Sequence, residues 1–301
     1  MLGQTRSKKS SMIIKNQEGL QFLSGLPDES VDLVLTDPPY ITSRDSGMDR
    51  WVDHVAAQDA ACTNLKSSQD WEMFNAKMDW DKFFGDKKRN IDTLKKNYLK
   101  YGSIYGKKYA VRTDYGKWDS EFTMEDLQLF INHFYRVLKP GGTCIMFFDL
   151  WKITPLKEQL ESAKFKQIRF IEWLKTNPQP INSKVNYLTN CREIALLGIK
   201  KSKPTFNSSY DKGVYEYPIQ GGKDRFHPTQ KNTKMFEELI QKHSNKGDVV
   251  LDCFLGSGTT AVAALNTDRR FIGCELDKEY FTKSMVRIKK AKNVKDTKQN
   301  S

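Results

Sequence analysis

Short apolar runs and amphipathic stretches alternate along this chain. Val31–Thr36 (VDLVLT) and Val249–Cys253 (VVLDC) read as buried strands. Met12–Lys15, Thr143–Phe148, Gln167–Leu174, Glu193–Lys200 and Phe271–Glu275 read as further strands. Between them, helical spacing of apolar residues predicts helices over Gly19–Gly25, Thr123–Leu138, Thr154–Ala163, Thr233–His243, Thr259–Asn266 and Lys278–Lys290. Lys139-Pro140-Gly141-Gly142 supplies the stop after the second of these. Strand and helix in alternation predict an α/β fold, a mostly parallel sheet covered by helices on both faces.

Residues 41–116 break the pattern. They are rich in charge, aromatics and glycine, with helical pieces around Trp71–Phe84 and Ile91–Tyr98. The stretch is too long for an ordinary loop and reads as a helical insertion. Its aromatic and basic end, Tyr98–Trp118, suits base stacking and phosphate contact, and equally suits helix packing. Residues 201–226 form a polar segment with turn signals and tyrosines. Residues 1–11 and 291–301 read as flexible basic tails.

Charge and composition narrow the class. The 301 residues carry a net charge of +12, which suits a polyanionic partner. No apolar run approaches the roughly 20 residues that span a bilayer, and no signal peptide pattern opens the chain, so no membrane partner is expected. The five cysteines are scattered, without a CxxC pair. They read as reduced thiols, which places the protein inside the cell, in the cytoplasm or with the nucleoid of a bacterium. His227 and His243 have no partner cluster, so no metal site is expected.

Two segments carry chemistry. In VVLDCFLGSGTTAVAAL, a strand meets a glycine turn and then a helix. Gly256 and Gly258 let the backbone turn sharply and approach a ligand, and the helix start offers unpaired N–H groups. The next strand ends at Glu275, an acid placed for ribose hydroxyls. There is no third glycine, so the pattern fits an adenosine-containing cofactor without requiring a pyrophosphate. The second segment is Asp37-Pro38-Pro39-Tyr40, directly after Val31–Thr36. The prolines stiffen the turn and leave carbonyls open to accept hydrogen bonds. With the Asp37 carboxylate they form an acceptor pair, and Tyr40 adds a face for stacking. An exocyclic aromatic amine needs this arrangement, because its lone pair is delocalised until acceptors on its hydrogens favour pyramidal geometry. The bland alternative is a rigid strand-to-loop turn with an N-cap aspartate. Asp149, at the end of FFD, reads as a helix cap.

SVDLVLTDPPY resembles the catalytic motif of the beta-class amino-methylating DNA methyltransferases, the adenine-N6 and cytosine-N4 family, in which the catalytic motif precedes the cofactor motif. RFHPTQK is similar to the motif before their cofactor strand, and VVLDCFLGSGTT to their VLDPFxGSGTT loop. WDSEFTMEDLQLFINHFYRVLKPGG and IEWLKTNPQP also resemble stretches between these. The resemblance implies an S-adenosylmethionine-dependent methyltransferase domain over residues 12–40 and 117–290, with 201–226 as candidate target-recognition segment, where Tyr210, Tyr215, Tyr217 and Arg225 would meet DNA. It implies a circularly permuted class I methyltransferase sheet, Rossmann-like, with seven strands and one antiparallel, the N-terminal strand Met12–Lys15 completing the cofactor half.

Carried over by position, Asp37, Pro38, Pro39 and Tyr40 would hold the target amine and base. Asp252, Phe254, Gly256, Ser257, Gly258 and Thr259 would line the cofactor, and Glu275 would bind its ribose. Thr229 and Lys231, with His227 beside them, would sit near its methionine part, and Asn177 and Pro178 would wall the base pocket. Three positions depart from the family pattern. Cys253 and Asn232 replace prolines, and Asn16 stands for an aspartate near the cofactor adenine. The implied activity is methylation of adenine N6 in a flipped-out base of double-stranded DNA. Cytosine N4 is the alternative atom, since the same motif can serve both amines; the resemblance favours adenine because the cytosine enzymes more often open the motif with serine. A non-catalytic DNA-binding subunit of the same fold is the alternative of another class. The family also implies a homodimer and a cognate restriction endonuclease as partners.

Overall fold

The structure, a computed structural model, describes residues 12–39, 41, 65–84, 90–104, 122–179, 184, 186–188, 190–221, 225–227 and 229–299. Tyr40, the 1–11 tail and most of the Tyr98–Trp118 run lie outside them. The chain divides into two compact units, Met1–Thr42 with Tyr115–Ser301, and Ser43–Asp114.

The larger unit is built on one sheet. Its strands are β1 (Met12–Asn16), β2 (Val31–Thr36), β3 (Leu138–Phe148), β4 (Lys166–Lys175), β5 (Arg192–Ile199), β6 (Val214–Tyr217), β7 (Val249–Asp252) and β8 (Arg270–Glu275). They lie in the order β1-β8-β7-β2-β3-β5-β4-β6. Only β5 runs antiparallel to its neighbours, β3 and β4. The N-terminal strand pairs in parallel with β8, Met12 opposite Phe271. The helices of this unit are α1 (Gly19–Ser24), α5 (Met124–Val137), α6 (Ile153–Ser162), α7 (Thr233–His243), α8 (Thr259–Asn266) and α9 (Lys278–Gln299).

The central strands are apolar throughout, yet their side chains alternate between two cores. Val34, Met146 and Leu251 face one layer, with Phe130, Ile131 and Phe134 of α5 and Leu156 of α6. Leu33, Ile145 and Val250 face the other, with Phe236 and Leu239 of α7, Ala261 of α8 and Ile288 of α9. A continuous hydrophobic run on each strand is what burial on both faces demands. Polar residues at the ends then set where each helix begins. Thr123 and Asp126 form a reciprocal capping box at α5, and Asn232 caps α7 through its side-chain oxygen.

Three features differ from the sequence expectation. The sheet has eight strands rather than seven. The added strand β6 lies in the polar segment 201–226 and pairs in parallel with β4, Trp173 opposite Tyr215. Four residues are too few to show a period, and side-chain bonds do much of the fastening. Trp173 Nε1 donates to Tyr217 O at 2.8 Å, Tyr217 Oη donates to Glu238 at 2.6 Å, and Tyr215 is 4% exposed. Tyr215 and Tyr217 are therefore engaged in holding the sheet edge, whereas Tyr210 and Arg225 are exposed. Second, β3 begins at Leu138, so Lys139-Pro140-Gly141-Gly142 runs within the strand over a register shift against β2. Third, α9 continues to Gln299 through the segment read as a tail. That stretch has no glycine or proline, and Lys295 anchors it on Leu265 O and on Asp268. Among the described residues, no helix is long and apolar enough to cross a membrane.

The smaller unit holds α2 (Ser68–Asn75), α3 (Trp80–Phe84) and α4 (Ile91–Tyr101). It has its own core of Trp71, Leu94 and Ile104. Tyr98 stacks on Phe74 at 4.6 Å between ring centres, so this tyrosine serves packing.

A single methyl group tests the seam between β7 and β8. At Gly273, an added Cβ would lie 2.3 Å from Asp252 O and 2.8 Å from the Phe271 ring. Gly273→Ala is expected to cost about 1–3 kcal/mol, the usual range for overpacking, read as a lower urea midpoint. An unchanged midpoint would mean that the strands part freely at this seam.

Candidate active site

Strands β2 and β7 lie side by side and parallel, with Leu33 opposite Val250 and Val34 opposite Leu251. Their carboxyl ends release two turns next to each other. One is Asp37-Pro38-Pro39 and the other runs from Cys253 to Gly258. From here the chain goes to β8 on one side and to β3 on the other, so the turns flank the point where the strand order reverses. Open α/β sheets bind ligands in the crevice at such a point. A cavity of about 310 Å³ opens there. Asp37, Pro38, Pro39, Thr229, Lys231, Asp252, Phe254, Gly256, Ser257, Thr259 and Glu275, all singled out from the sequence, line it.

The glycine loop is held by buried carboxylates. Asp252 accepts from Thr36 Oγ1 and Thr260 Oγ1, each at 2.6 Å, and from Phe254 N at 3.0 Å. Burial raises its pKa, against the pull of these three donors. Its two oxygens thus tie β2, the loop and α8 together. Glu275 accepts from Gly256 N at 2.7 Å and from Asp277 N at 2.9 Å. Burial raises its pKa too, opposed by the two N–H donors. Gly256 has φ +49° and Gly258 has φ +75°, the left-handed region that favours glycine. Gly258 caps α8 beneath the loop, close to Ile288, and does not line the cavity. Ser257 Oγ and Thr259 Oγ1 lie 3.0 Å apart. Phe254 stands 4.7 Å from the Phe130 ring and 5.8 Å from Phe122, forming an aromatic wall.

Several residues sit differently from what the resemblance implies. Asn16 does not line the cavity. Its Nδ2 donates to Glu275 O at 2.8 Å and Leu276 O at 3.0 Å, bonds that an aspartate, which only accepts, does not make. Lys231 lines the cavity, and its ammonium is engaged there by two carboxylates. Its Nζ is 2.6 Å from Asp37 Oδ2 and 2.9 Å from Glu193 Oε2. Its side chain is only 4% exposed, and opposite charges gather where water is excluded. Thr229 Oγ1 lies 3.1 Å from His227 Nδ1. The His227 pKa is lowered to about 4 by burial and by the Lys231 charge, so this ring is neutral near pH 7. Asn177 Oδ1 accepts from Ile219 N at 2.6 Å, which fastens the turn after β4 to the chain after β6. Asp149 caps the short turn after β3 as expected, accepting from Trp151 N at 3.0 Å.

Other participants gave no signal in the sequence. Glu18 caps α1 with bonds of 2.8 and 2.7 Å to Leu20 N and Gln21 N, and also lines the cavity. Tyr280 lines it beside His227, 4.5 Å between ring centres. Arg287 of α9 braces the glycine loop from behind. It donates to Ser257 O at 2.9 Å, Thr259 Oγ1 at 3.0 Å and Thr233 Oγ1 at 2.9 Å. In the sequence it is one basic residue in a helix full of them.

Known proteins resemble this chain. The profile of the N6/N4 methyltransferase family, described as DNA methylase, matches residues 31–286. Type II methyltransferase M2.DpnII of Streptococcus pneumoniae is 29% identical over 295 residues, covering 93% of this chain and 90% of its own. Type II methyltransferase M2.LlaDCHI of Lactococcus lactis subsp. cremoris is 33% identical over 199 residues, 60% of this chain and 74% of its own. Among solved structures, the M1.HpyAVI complex with SAM aligns with a TM-score of 0.57 and 22% identity, over 92% of this chain and 98% of that one. The PvuII DNA methyltransferase, cytosine-N4-specific, aligns with a TM-score of 0.59 and 15% identity, over 94% and 93%. At such identities the structures speak for the fold. With the profile spanning the Asp37-Pro38-Pro39 turn, the glycine loop and the chain between them, the protein belongs to the N6/N4 family of DNA methylases.

Proposed function

We propose that this DNA methyltransferase transfers the methyl group of S-adenosylmethionine to adenine N6 of a base flipped out of double-stranded DNA. The observation that carries the reading is the meeting of Asp37 and the glycine loop in one cavity. The donor set fits the cofactor. The cavity, about 310 Å³, falls within the size range of small-molecule sites. Glu275 has a lone pair left on each oxygen beyond its backbone bonds, which suits ribose hydroxyls. Phe254 offers an aromatic face, and Gly256 and Ser257 offer close backbone approach. Bound there, S-adenosylmethionine supplies an electrophilic sulfonium methyl.

The remaining work falls to the chain itself. The Asp37 carboxylate and the Pro38 carbonyl accept the two hydrogens of the amine. That localises its lone pair and aims it. The stiff Pro38-Pro39 turn fixes the acceptors in advance, so little reorganisation accompanies the reaction. Tyr40 stacks on the flipped base. The proton lost by the alkylated amine passes through Asp37 to water. Lys231 neutralises the Asp37 charge from the side. Tyr210 and Arg225, both exposed in segment 201–226, are the proposed DNA contacts there. The insertion 41–116 takes either a DNA-contacting or a dimerising role. A second copy of the chain and a cognate restriction endonuclease complete the expected partners, a setting that the Type II designation of the relatives supports.

Adenine is favoured over cytosine because the motif opens with Asp37 and not serine. The cytosine-N4 reading is kept because an enzyme of that specificity shares the fold. The intact acceptor turn beside an intact glycine loop favours a catalyst over a DNA-binding subunit.

Two outcomes are expected. Incubation with unmethylated genomic DNA and labelled S-adenosylmethionine, followed by nucleoside mass analysis, yields N6-methyldeoxyadenosine. N4-methyldeoxycytidine in its place would overturn the adenine assignment. Asp37→Ala lowers kcat by about 100-fold or more, the scale of losing a positioned acceptor, while calorimetry finds cofactor affinity retained. A variant methylating near the parent rate would sink the mechanism.

A further inference from the structure

Strand β5 is apolar except at its start, where Glu193 sits beside Arg192. Arg192 turns away and pairs with Glu172 at 2.7 Å. Glu193 turns inward and lies between two lysines. Its Oε1 is 2.6 Å from Lys175 Nζ of β4, and its Oε2 is 2.9 Å from Lys231 Nζ. Lys231 in turn reaches Asp37 Oδ2 at 2.6 Å. Four side chains from four separate segments thus form one row of alternating charge: Lys175, Glu193, Lys231, Asp37. Their side-chain exposures are 11%, 20%, 4% and 19%. Aromatic rings floor the row, with Lys175 over Trp173 at 5.1 Å and Lys231 over Phe147 at 5.4 Å.

Such a row stands or falls together. Two anions and two cations cancel, so no net charge is buried. Removing one member leaves a charge without compensation in a site poor in water. Lys231 is the most buried of the four. Burial opposes its charge, Asp37 and Glu193 more than offset that, and its pKa lies above the ordinary lysine value. For Glu193, burial pushes the pKa up, but Lys231 and Lys175 outweigh it and hold the carboxyl below its ordinary value. Among the described residues, His227 also feels Lys231, whose charge helps to keep the ring neutral.

We propose that Glu193 is a positioning residue of the methyl-transfer site, holding the Lys231 ammonium on Asp37 so that Asp37 stands as an oriented acceptor. The role deepens the reading of Asp37 as the amine acceptor and rests on it. Glu193 does not line the cavity. It acts through Lys231, and Lys175 braces it from the far side. Without Glu193, Lys231 keeps its burial and loses one of the two carboxylates that pair with it among the described residues, so its pKa falls. The ammonium then deprotonates at a lower pH than in the parent and releases Asp37.

The test uses the full chain, unmethylated genomic DNA and methyl incorporation as a function of pH. For Glu193→Gln, kcat falls by about tenfold or more, while KM values for cofactor and DNA stay within about twofold. The alkaline limb of kcat moves down by about one pH unit or more. Glu193→Asp restores part of both. For Lys175→Gln, the acid limb moves up, because Glu193 loses a cation that holds its carboxyl down, and the alkaline limb stays. A Glu193→Gln enzyme with parent kcat and an unmoved alkaline limb overturns the proposal. So does a variant whose kcat and cofactor affinity fall together with its melting temperature, which is what a purely structural brace gives. Should Glu193→Gln fail to fold, Lys175→Gln decides, and an unmoved acid limb overturns the proposal. Asp37→Ala separates the two levels. If it remains active, the acceptor reading fails. If it is inactive while Glu193→Gln behaves as the parent, the failure is confined to Glu193.

Discussion

Everything at this site hangs on how the ends of β2 and β7 are tied. Asp252 is buried at the cavity wall, and its carboxylate holds Thr36 of β2, the Phe254 amide of the loop and Thr260 of α8. A charge is costly to bury, and only a full set of donors makes it tolerable. The same three bonds fix the spacing between the acceptor turn and the cofactor loop. A carboxylate that reads in the sequence as a cofactor ligand thus works first as the clasp of the two halves. Glu275 repeats the device one strand away, clasping Gly256 and Asp277.

Most of the sheet was legible because burial on both faces imposes continuous apolar runs, and the glycine turns mark where they end. Even the pairing of β1 with β8 followed from topology, since the cofactor half needed a third parallel strand. What escaped was held by other means. β6 is short and polar, and its place depends on Tyr215, Tyr217 and Trp173 meeting partners on β4 and α7. The helical reach to Gln299 depends on Lys295 finding a carbonyl and Asp268.

The site divides along the same line. The acceptor turn and the glycine loop are contiguous in sequence, and their residue types state their chemistry. Charge pairs across long separations do not. Lys231 looked like a ligand for the cofactor's methionine part, and no local pattern joins it to Asp37 or Glu193. An acid at the head of an apolar strand was the available hint for Glu193. Asn16 shows the limit of reading by position. It replaces an acceptor with a donor, and the donor finds the strand-end carbonyls of β8.

The strand order has a consequence for how the molecule comes into being. β7 lies between β8 and β2, in the middle of the sheet, yet it is made after six of the other strands. A growing chain therefore carries β2 with one side unpaired until Val249–Asp252 emerges. The partial sheet is an open edge, the kind of surface that invites pairing with other chains. Closing it joins segments more than two hundred residues apart, as Leu33 meets Val250, and such long-range closure is slow. The two turns of the site therefore come together late, when β7 adds to that open edge and β8, with Glu275 at its end, follows and brings in β1.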